Sequence, residues 1–244
     1  MSKDWFVNWF NTSYYHTLYK NRDEAEASRF IDQLCEYFQI QQNAKILDLA
    51  CGKGRHSIHL ANKGFCTTGL DLADESIAIA NNNKVPNVNF AVHDMRTMYM
   101  HNEFDYVFNL FTSFGYFKNP DENIDVLKAV AHNLNKEGVF VLDFLNATKV
   151  IENLVPIEQK SIDGIDFVLK RQFDGKNIIK DIFVKDNEKE YAFQERVSAF
   201  KLNDMNMMAK EAGLEIISTF GNYKLQAYDQ SHSDRLILVM KLKE

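Results

Sequence analysis

Two glycines and three carboxylates are spaced so that they could do chemistry together. An apolar run over residues 45–49 leads straight into Ala50-Cys51-Gly52-Lys53-Gly54, and a helical pattern follows over residues 55–63. Strand, glycine turn, helix is an arrangement that holds an anionic or polar ligand at a helix N-terminus, above the carboxyl edge of a parallel sheet. Gly52 and Gly54 remove side chains where such a ligand must approach the backbone. Asp71 closes the second apolar run, about 19 residues past Gly52. In a nucleotide-binding sheet a carboxylate there accepts ribose hydroxyls. Asp94, in His93-Asp94-Met95-Arg96, follows the third run. A carboxylate at that strand end can accept the amino hydrogen of a base, with the Met95 backbone beside it. Asp48 lies inside the first run.

These residues need a sheet to bring them together, and the chain is patterned for one. Strand signals at residues 45–49, 66–71, 88–92, 106–110 and 139–144 are separated by helical patterns at 55–63, 74–82 and 121–134. Short strands alternating with helices of this length predict right-handed βαβ units and a parallel sheet buried on both faces. Ahead of them, aromatics recurring at helical spacing predict an amphipathic helix over residues 4–19, and a second helix is expected over 23–39. From about residue 158 to 202 the chain alternates apolar and polar, with turn signals at Asp163-Gly164, Asp174-Gly175 and Asp186-Asn187. That predicts an antiparallel meander. A helix over residues 203–212, closed by Gly213, and two strands over 214–220 and 235–241 complete the chain. The organisation expected is a core of residues 1–157 and 203–244 carrying an N-terminal helical cap. Residues 158–202 form an inserted lid or dimerisation element.

Bulk properties narrow the partners. The chain has 244 residues, 45% hydrophobic and 25% charged, a globular composition. A formal net charge of −6 gives no basic surface for nucleic acid. No apolar run is long enough for a membrane span. Three cysteines without a CxxC pair suggest a reducing, cytoplasmic setting. No His, Cys or carboxylate spacing suggests a metal site.

Which ligand the turn holds depends on its details. A nicotinamide dinucleotide asks for G-x-G-x-x-G, and here Gly52-Lys53-Gly54-Arg55-His56-Ser57 lacks the third glycine. G-x-x-x-x-G-K-[ST] is absent too. An acid in the first strand, a glycine turn, an acid ending the second strand and an acid after the third resemble the class I S-adenosylmethionine-dependent methyltransferases. ILDLACGKG resembles their first motif. GLDLA, HDMR and FDYVFNLFTSFGYF resemble the later ones in order and spacing. The likeness covers residues 10–144 specifically and the terminal strand pair loosely. It is closest to small-molecule members with a β-meander lid, such as sugar N-methyltransferases.

The resemblance implies an α/β, Rossmann-like, seven-stranded sheet of order 3-2-1-4-5-7-6, strand seven antiparallel. It implies S-adenosyl-L-methionine as cofactor, with Ala50, Gly52 and Gly54 at its methionine part. Asp71 would lie on the ribose, Leu72 on the adenine face, and Asp94 and Met95 at the adenine edge. Asn109 and Leu110 would pass beside the sulfonium. Tyr14 and Tyr19 from the cap would close over the cofactor, and Arg22 would reach its carboxylate. The activity implied is methyl transfer to N or O of a small-molecule acceptor. Tyr116, in the loop after the fourth strand, and His232 are the candidate catalytic side chains; His16 is a further one. A monomer or a homodimer is expected. The competing readings are a cofactor-binding module without turnover and an NAD(P)-dependent oxidoreductase.

Overall fold

The structure is a computed structural model and describes residues 9–20 and 24–243. Helices α1 (Ser13–Leu18) and α2 (Glu24–Tyr37) precede strand β1 (Lys45–Leu49). Then α3 (Arg55–Asn62), β2 (Cys66–Asp71), α4 (Asp74–Asn82), β3 (Val88–Val92), β4 (Phe104–Asn109), α5 (Asp121–Asn133) and β5 (Leu134–Leu145) follow. A short α6 (Ala147–Glu152) leads to four strands, β6 (Ile157–Ile162), β7 (Ile165–Phe173), β8 (Asn177–Asp186) and β9 (Lys189–Ser198). Helix α7 (Leu202–Glu211) and strands β10 (Leu214–Phe220) and β11 (Arg235–Leu242) end the fold.

One sheet has the order β3-β2-β1-β4-β5-β11-β10. Strands β1 to β5 pair in parallel, and β11 pairs antiparallel with both β5 and β10. This is the expected 3-2-1-4-5-7-6 order, with β11 as strand seven. Alternate residues of its strands serve opposite faces. Ile46, Phe108, Val141 and Ile237 pack with Phe30, Ile31 and Leu34 of α2 and Leu60 of α3. Leu47, Val107, Phe140, Leu142 and Leu238 pack with Val126, Leu127 and Val130 of α5 and Met205, Met208 and Ala209 of α7. Cover on both faces forces the carboxyl ends of β1, β2, β3 and β4 to open at one edge, where the loops carrying the acids lie.

The insertion is a separate four-stranded antiparallel sheet of order β6-β7-β8-β9. One of its faces, Phe167, Leu169, Ile182 and Val184, buries Trp9 from the N-terminal segment. The expected helix over 4–19 is not continuous. Within its described part, residues 9–10 are helical, Thr12 breaks the run, and its hydroxyl accepts the Tyr15 N–H at 3.1 Å to start α1. Trp5 and Phe6 lie outside the described residues. A threonine inside a helical pattern acts here as an N-cap, because its oxygen satisfies a first-turn donor. Among the described residues no helix is long and apolar enough to cross a membrane.

Candidate functional site

The chain leaves β1 through a strained turn. Ala50, Gly52 and Gly54 have φ of 62°, 56° and 79°. The Cys51 N–H still donates to Leu70 O at 2.9 Å, so the turn stays tied to β2 one step past the strand. The Gly52 N–H then donates to Oδ2 of Asp71 at 2.8 Å, while Oδ1 accepts the Ala73 N–H at 2.8 Å. One carboxylate therefore fixes both the glycine turn and the chain leading into α4. Burial raises the pKa of Asp71, against the pull of the three N–H groups of Ala73, Gly52 and Leu72.

Asp48 does not face the cleft. It is buried, and its Oδ2 accepts the Ser57 hydroxyl at 2.6 Å. Gly54, the N-cap residue of α3, offers no side chain to cap that helix. Asp48 thus anchors the first turn of α3 from within the sheet. Burial pushes its pKa up to about 6, and the Asp71 charge acts in the same direction.

Gly54 departs from expectation. It is buried and does not line the cleft; a Cβ there would stand 2.5 Å from Cζ of Phe90. Its bare backbone admits the Phe90 ring, so its function is packing rather than ligand approach. A Cβ on Gly52 would meet nothing within 4 Å, and Gly52 lines the cleft. Of the two glycines, only Gly52 is cradle-like.

The loop after β4 is held in an unusual shape. Phe111 and Thr112 are both left-handed, with φ of 61° and 62°. Side chains in that region cost roughly 1–2 kcal/mol per residue, so the shape persists only where neighbours fix it. Asp143 of β5, fully buried, supplies the fixing. Its Oδ2 accepts the Phe111 N–H at 2.8 Å, and its backbone oxygen accepts the Thr112 N–H at 3.2 Å. Arg235, opening β11, donates Nε to Asp143 Oδ1 at 2.7 Å and Nη2 to Thr112 Oγ1 at 2.6 Å. The Tyr223 hydroxyl donates to Asp143 Oδ2 at 3.2 Å. The Phe111 ring lies 4.8 Å from the His56 ring, 18° from parallel. His56 is buried and its Nε2 has no hydrogen-bond partner among the described residues. Burial, with Arg55 next to it, pushes its pKa down to about 3, so the imidazole is neutral.

Asp94 lies beyond β3. Arg96 donates Nε to both Asp94 oxygens at 3.0 Å and Nη1 to Oε1 of Glu122 at 2.5 Å. Burial opposes ionisation of Asp94, and Arg96 outweighs it, holding the carboxyl below its ordinary range.

The N-terminal segment roofs the site. Trp9 Nε1 donates to Oε1 of Glu195 at 2.8 Å, and the Tyr19 hydroxyl donates to the same oxygen at 2.7 Å. Lys180 donates to Glu195 Oε2 at 2.7 Å and to the Tyr19 hydroxyl at 2.6 Å. Burial works against the Glu195 charge, and Lys180 overcomes it, so the carboxyl is held below its usual range.

Between roof and sheet edge lies a cleft of about 390 Å³. It brings together Tyr19, Ala50, Gly52, Asp71, Leu72, Asp94, Met95, Leu110 and Tyr116. The size falls within the usual range for small-ligand pockets. The lining, the Asp71 carboxylate beside a bare glycine with Leu72 and Met95 as apolar walls, has the chemistry an adenosyl group would need.

Other expected residues lie elsewhere. Tyr14 points to the meander: its hydroxyl donates to Asp186 at 3.1 Å and its ring packs 4.9 Å from Tyr191. Asn109 is buried, and its Nδ2 donates to Leu49 O at 2.8 Å, making it a strut between β4 and β1. His232 is 87% exposed, pairs with Asp229 at 2.8 Å and does not line the cleft. Arg22 lies outside the described residues. Tyr116 lines the cleft with its hydroxyl donating to Thr112 O at 2.5 Å. His16 lines it as well, and burial, followed by the Lys53 charge, lowers its pKa.

Sequence reasoning missed Asp143, Arg235 and Glu195. An aspartate within the apolar run VFVLDFL was the available signal, because a buried charge needs a partner.

Residues 46–138 match the family model described as a methyltransferase domain. The putative methyltransferase YqeM of Bacillus subtilis (strain 168) is 34% identical over 136 residues, covering 53% of this chain and 55% of that protein. A dTDP-3-amino-3,4,6-trideoxy-alpha-D-glucopyranose N,N-dimethyltransferase of Streptomyces venezuelae is 29% identical over 49% of each chain. This chain thus spans about half the length of these relatives. The crystal structure of an S-adenosylmethionine-dependent methyltransferase from Clostridium acetobutylicum ATCC 824 superposes with a TM-score of 0.79 at 24% identity, covering 95% of this chain and 96% of that one. Together with the sheet order, these likenesses show that the chain carries a methyltransferase domain on the class I S-adenosylmethionine-dependent methyltransferase fold.

Proposed function

We propose that this protein is an S-adenosylmethionine-dependent methyltransferase acting on N or O of a small molecule. The observation that carries the reading is the Asp71 carboxylate at the cleft wall, hydrogen-bonded to Gly52 and Ala73. Those two bonds point the carboxylate while leaving it lone pairs for a ribose diol. Leu72 and Met95 would flank the adenine. Asp94 would stand at its edge with Arg96 already on it. Ala50 and Gly52 would border the methionine part, and Leu110 the sulfonium. Tyr19 would close the roof.

When bound, the cofactor supplies a methyl group already activated on a sulfonium, so the protein's task is alignment and exclusion of water. Phe10, Tyr15, Tyr116 and Phe117 line the cleft and would wall its acceptor side. Tyr116 holds its proton on the Thr112 carbonyl, which makes it a positioning donor before it is a base. His16, whose pKa is lowered by burial and then by the Lys53 charge, is a group in the roof that would take a proton from an acceptor. An acceptor arriving as a free amine needs no such help. The amino-sugar N,N-dimethyltransferase among the relatives favours nitrogen and a sugar-sized acceptor. The meander reads as a lid, since one of its faces already buries the N-terminal segment. A cytoplasmic setting is supported by Cys35, Cys51 and Cys66, all free thiols.

The test is calorimetric titration with S-adenosylmethionine, S-adenosylhomocysteine and NAD in parallel. Micromolar binding of both adenosyl ligands without NAD is expected. Binding of NAD alone would overturn the assignment.

A further inference from the structure

The most constrained part of the cleft is the loop after β4, and its constraint comes from outside the cleft. Phe111 and Thr112 are consecutive non-glycine residues in the left-handed region, with φ of 61° and 62°. No glycine relieves either one. The shape is imposed by one buried side chain, Asp143, whose carboxylate takes the Phe111 N–H while its own backbone oxygen takes the Thr112 N–H. Arg235 completes the clamp from β11, with one nitrogen on Asp143 and another on Thr112 Oγ1.

What the clamp positions is chemical. It lays the Phe111 ring along His56, and it turns the Thr112 carbonyl to receive the Tyr116 hydroxyl. Phe111, Thr112 and Tyr116 all line the cleft, whereas Asp143 does not. We propose that Asp143, through Arg235 and the left-handed Phe111–Thr112 pair, is a positioning residue for methyl transfer, setting the Thr112 carbonyl and the Tyr116 hydroxyl on it as the polar wall of the cleft, while the Phe111 ring is taken up by the Arg55 guanidinium 5.3 Å from its centroid. Carbonyl and hydroxyl oxygens favour a cation over a neutral thioether. The adenosine end of the ligand, held by Asp71, lies on different strands. The inference rests on the methyltransferase reading, and it assigns to the clamp the preference for the charged over the uncharged adenosyl ligand.

The test compares S-adenosylmethionine and S-adenosylhomocysteine by calorimetry on wild type, Asp143→Asn and Asp143→Asn/Thr112→Gly, with circular dichroism as a check of folding. Asp143→Asn is expected to weaken S-adenosylmethionine about tenfold, because the loop loses the ion pair that sets its shape, and S-adenosylhomocysteine by less than about threefold. Glycine at 112 adopts the left-handed shape without a clamp, so the double variant is expected to recover most of the lost selectivity. Glycine at 112 also relieves backbone strain and so restores stability; the readout is therefore the ratio of the two affinities, which a merely structural role would leave at its wild-type value in every folded variant. If Asp143→Asn does not fold, Arg235→Lys keeps a cation beside Asp143 but withdraws the second nitrogen from Thr112, and the same loss of selectivity is expected. A wild-type ratio of the two affinities in the folded variant, or a double variant no better than the single, overturns the inference. Failure of wild type to bind either ligand overturns the methyltransferase reading itself.

Discussion

Asp71 accepts the Gly52 N–H at 2.8 Å across a sequence separation of 19 residues, so the end of β2 holds the turn that leaves β1. On the proposed reading, ligand side and scaffold side of the site share one carboxylate, and removing it would take away an acceptor for the ligand and release the glycine turn together.

Asp71→Ala is accordingly expected to weaken S-adenosylhomocysteine binding by at least about 1–3 kcal/mol, the range for leaving buried hydrogen-bonding groups unpaired. Calorimetry on the folded variant checks this. Unchanged affinity would remove Asp71 from the site.

Gly52 and Gly54, two residues apart, are expected to respond differently to alanine. Gly54→Ala drives a Cβ into the Phe90 ring and should cost about 1–3 kcal/mol of stability from overpacking, in addition to backbone strain. Gly52→Ala meets open space, so its stability loss is the strain alone, roughly 1–2 kcal/mol, and its larger effect should be on ligand affinity. Urea unfolding set beside ligand titration separates the two; matching profiles for both variants would contradict the assignment.

His56 makes stability depend on pH. Its pKa falls from 6.5 to about 3 on folding, so between those values the unfolded chain binds more protons. Stability is therefore complete above about pH 6.5 and is lost as pH falls towards 3, at up to about 1.4 kcal/mol per pH unit. The difference between wild type and His56→Gln in denaturant unfolding should change with pH in that sense. A difference that stays constant from pH 7.5 to 5 would show that His56 is not buried as a neutral ring.

Asp48 has the opposite sign. Its pKa rises from 3.8 to about 6 on folding, so the folded state binds the extra proton in this window. Its contribution to stability declines as pH rises from about 4 to 6. With His56→Gln as the background, adding Asp48→Asn should remove a component that falls with rising pH. Parallel pH curves for the single and double variants would refute this.

Glu195 is expected to be the most sensitive residue of the roof. Glu195→Ala strands Lys180 in a half-buried position and frees Trp9 and Tyr19 together, and breaking a buried pair this way costs about 3–5 kcal/mol. Amide exchange should speed up in residues 9–19 and β8 while β1 and β4 stay protected. Uniform loss of protection would show that the roof and the sheet unfold as one unit.

Much of the site was legible because it depends on strand ends. Ala50, Gly52, Asp71, Leu72, Asp94 and Met95 sit where an apolar run stops, and in a parallel sheet such stops share an edge. Side-chain direction was not legible. Tyr14 and Tyr19 look alike in the sequence, but Thr12 interrupts the helix and restarts it at Ser13, which sends Tyr14 to Tyr191 and Tyr19 to the cleft. Gly54 and Gly52 look like one motif, but the Phe90 ring, 36 residues away in the chain, gives them different work. Asp143 and Arg235 lie 92 residues apart, and their pairing depends on β11 entering the sheet antiparallel beside β5. Local periodicity carries no information about that partner.

Trp9 and Glu195 are 186 residues apart, and Trp9 packs in one cluster with Phe167 and Leu169 of β7, Ile182 and Val184 of β8 and Phe193 of β9, besides Tyr15 of its own segment. Joining parts of a chain that stand so far apart carries a large loop-closure cost, which is met only once the meander strands have paired. The sheet beneath is built from short βα units whose contacts are local by comparison. The roof is therefore expected to close after the sheet has formed and to open before the sheet does.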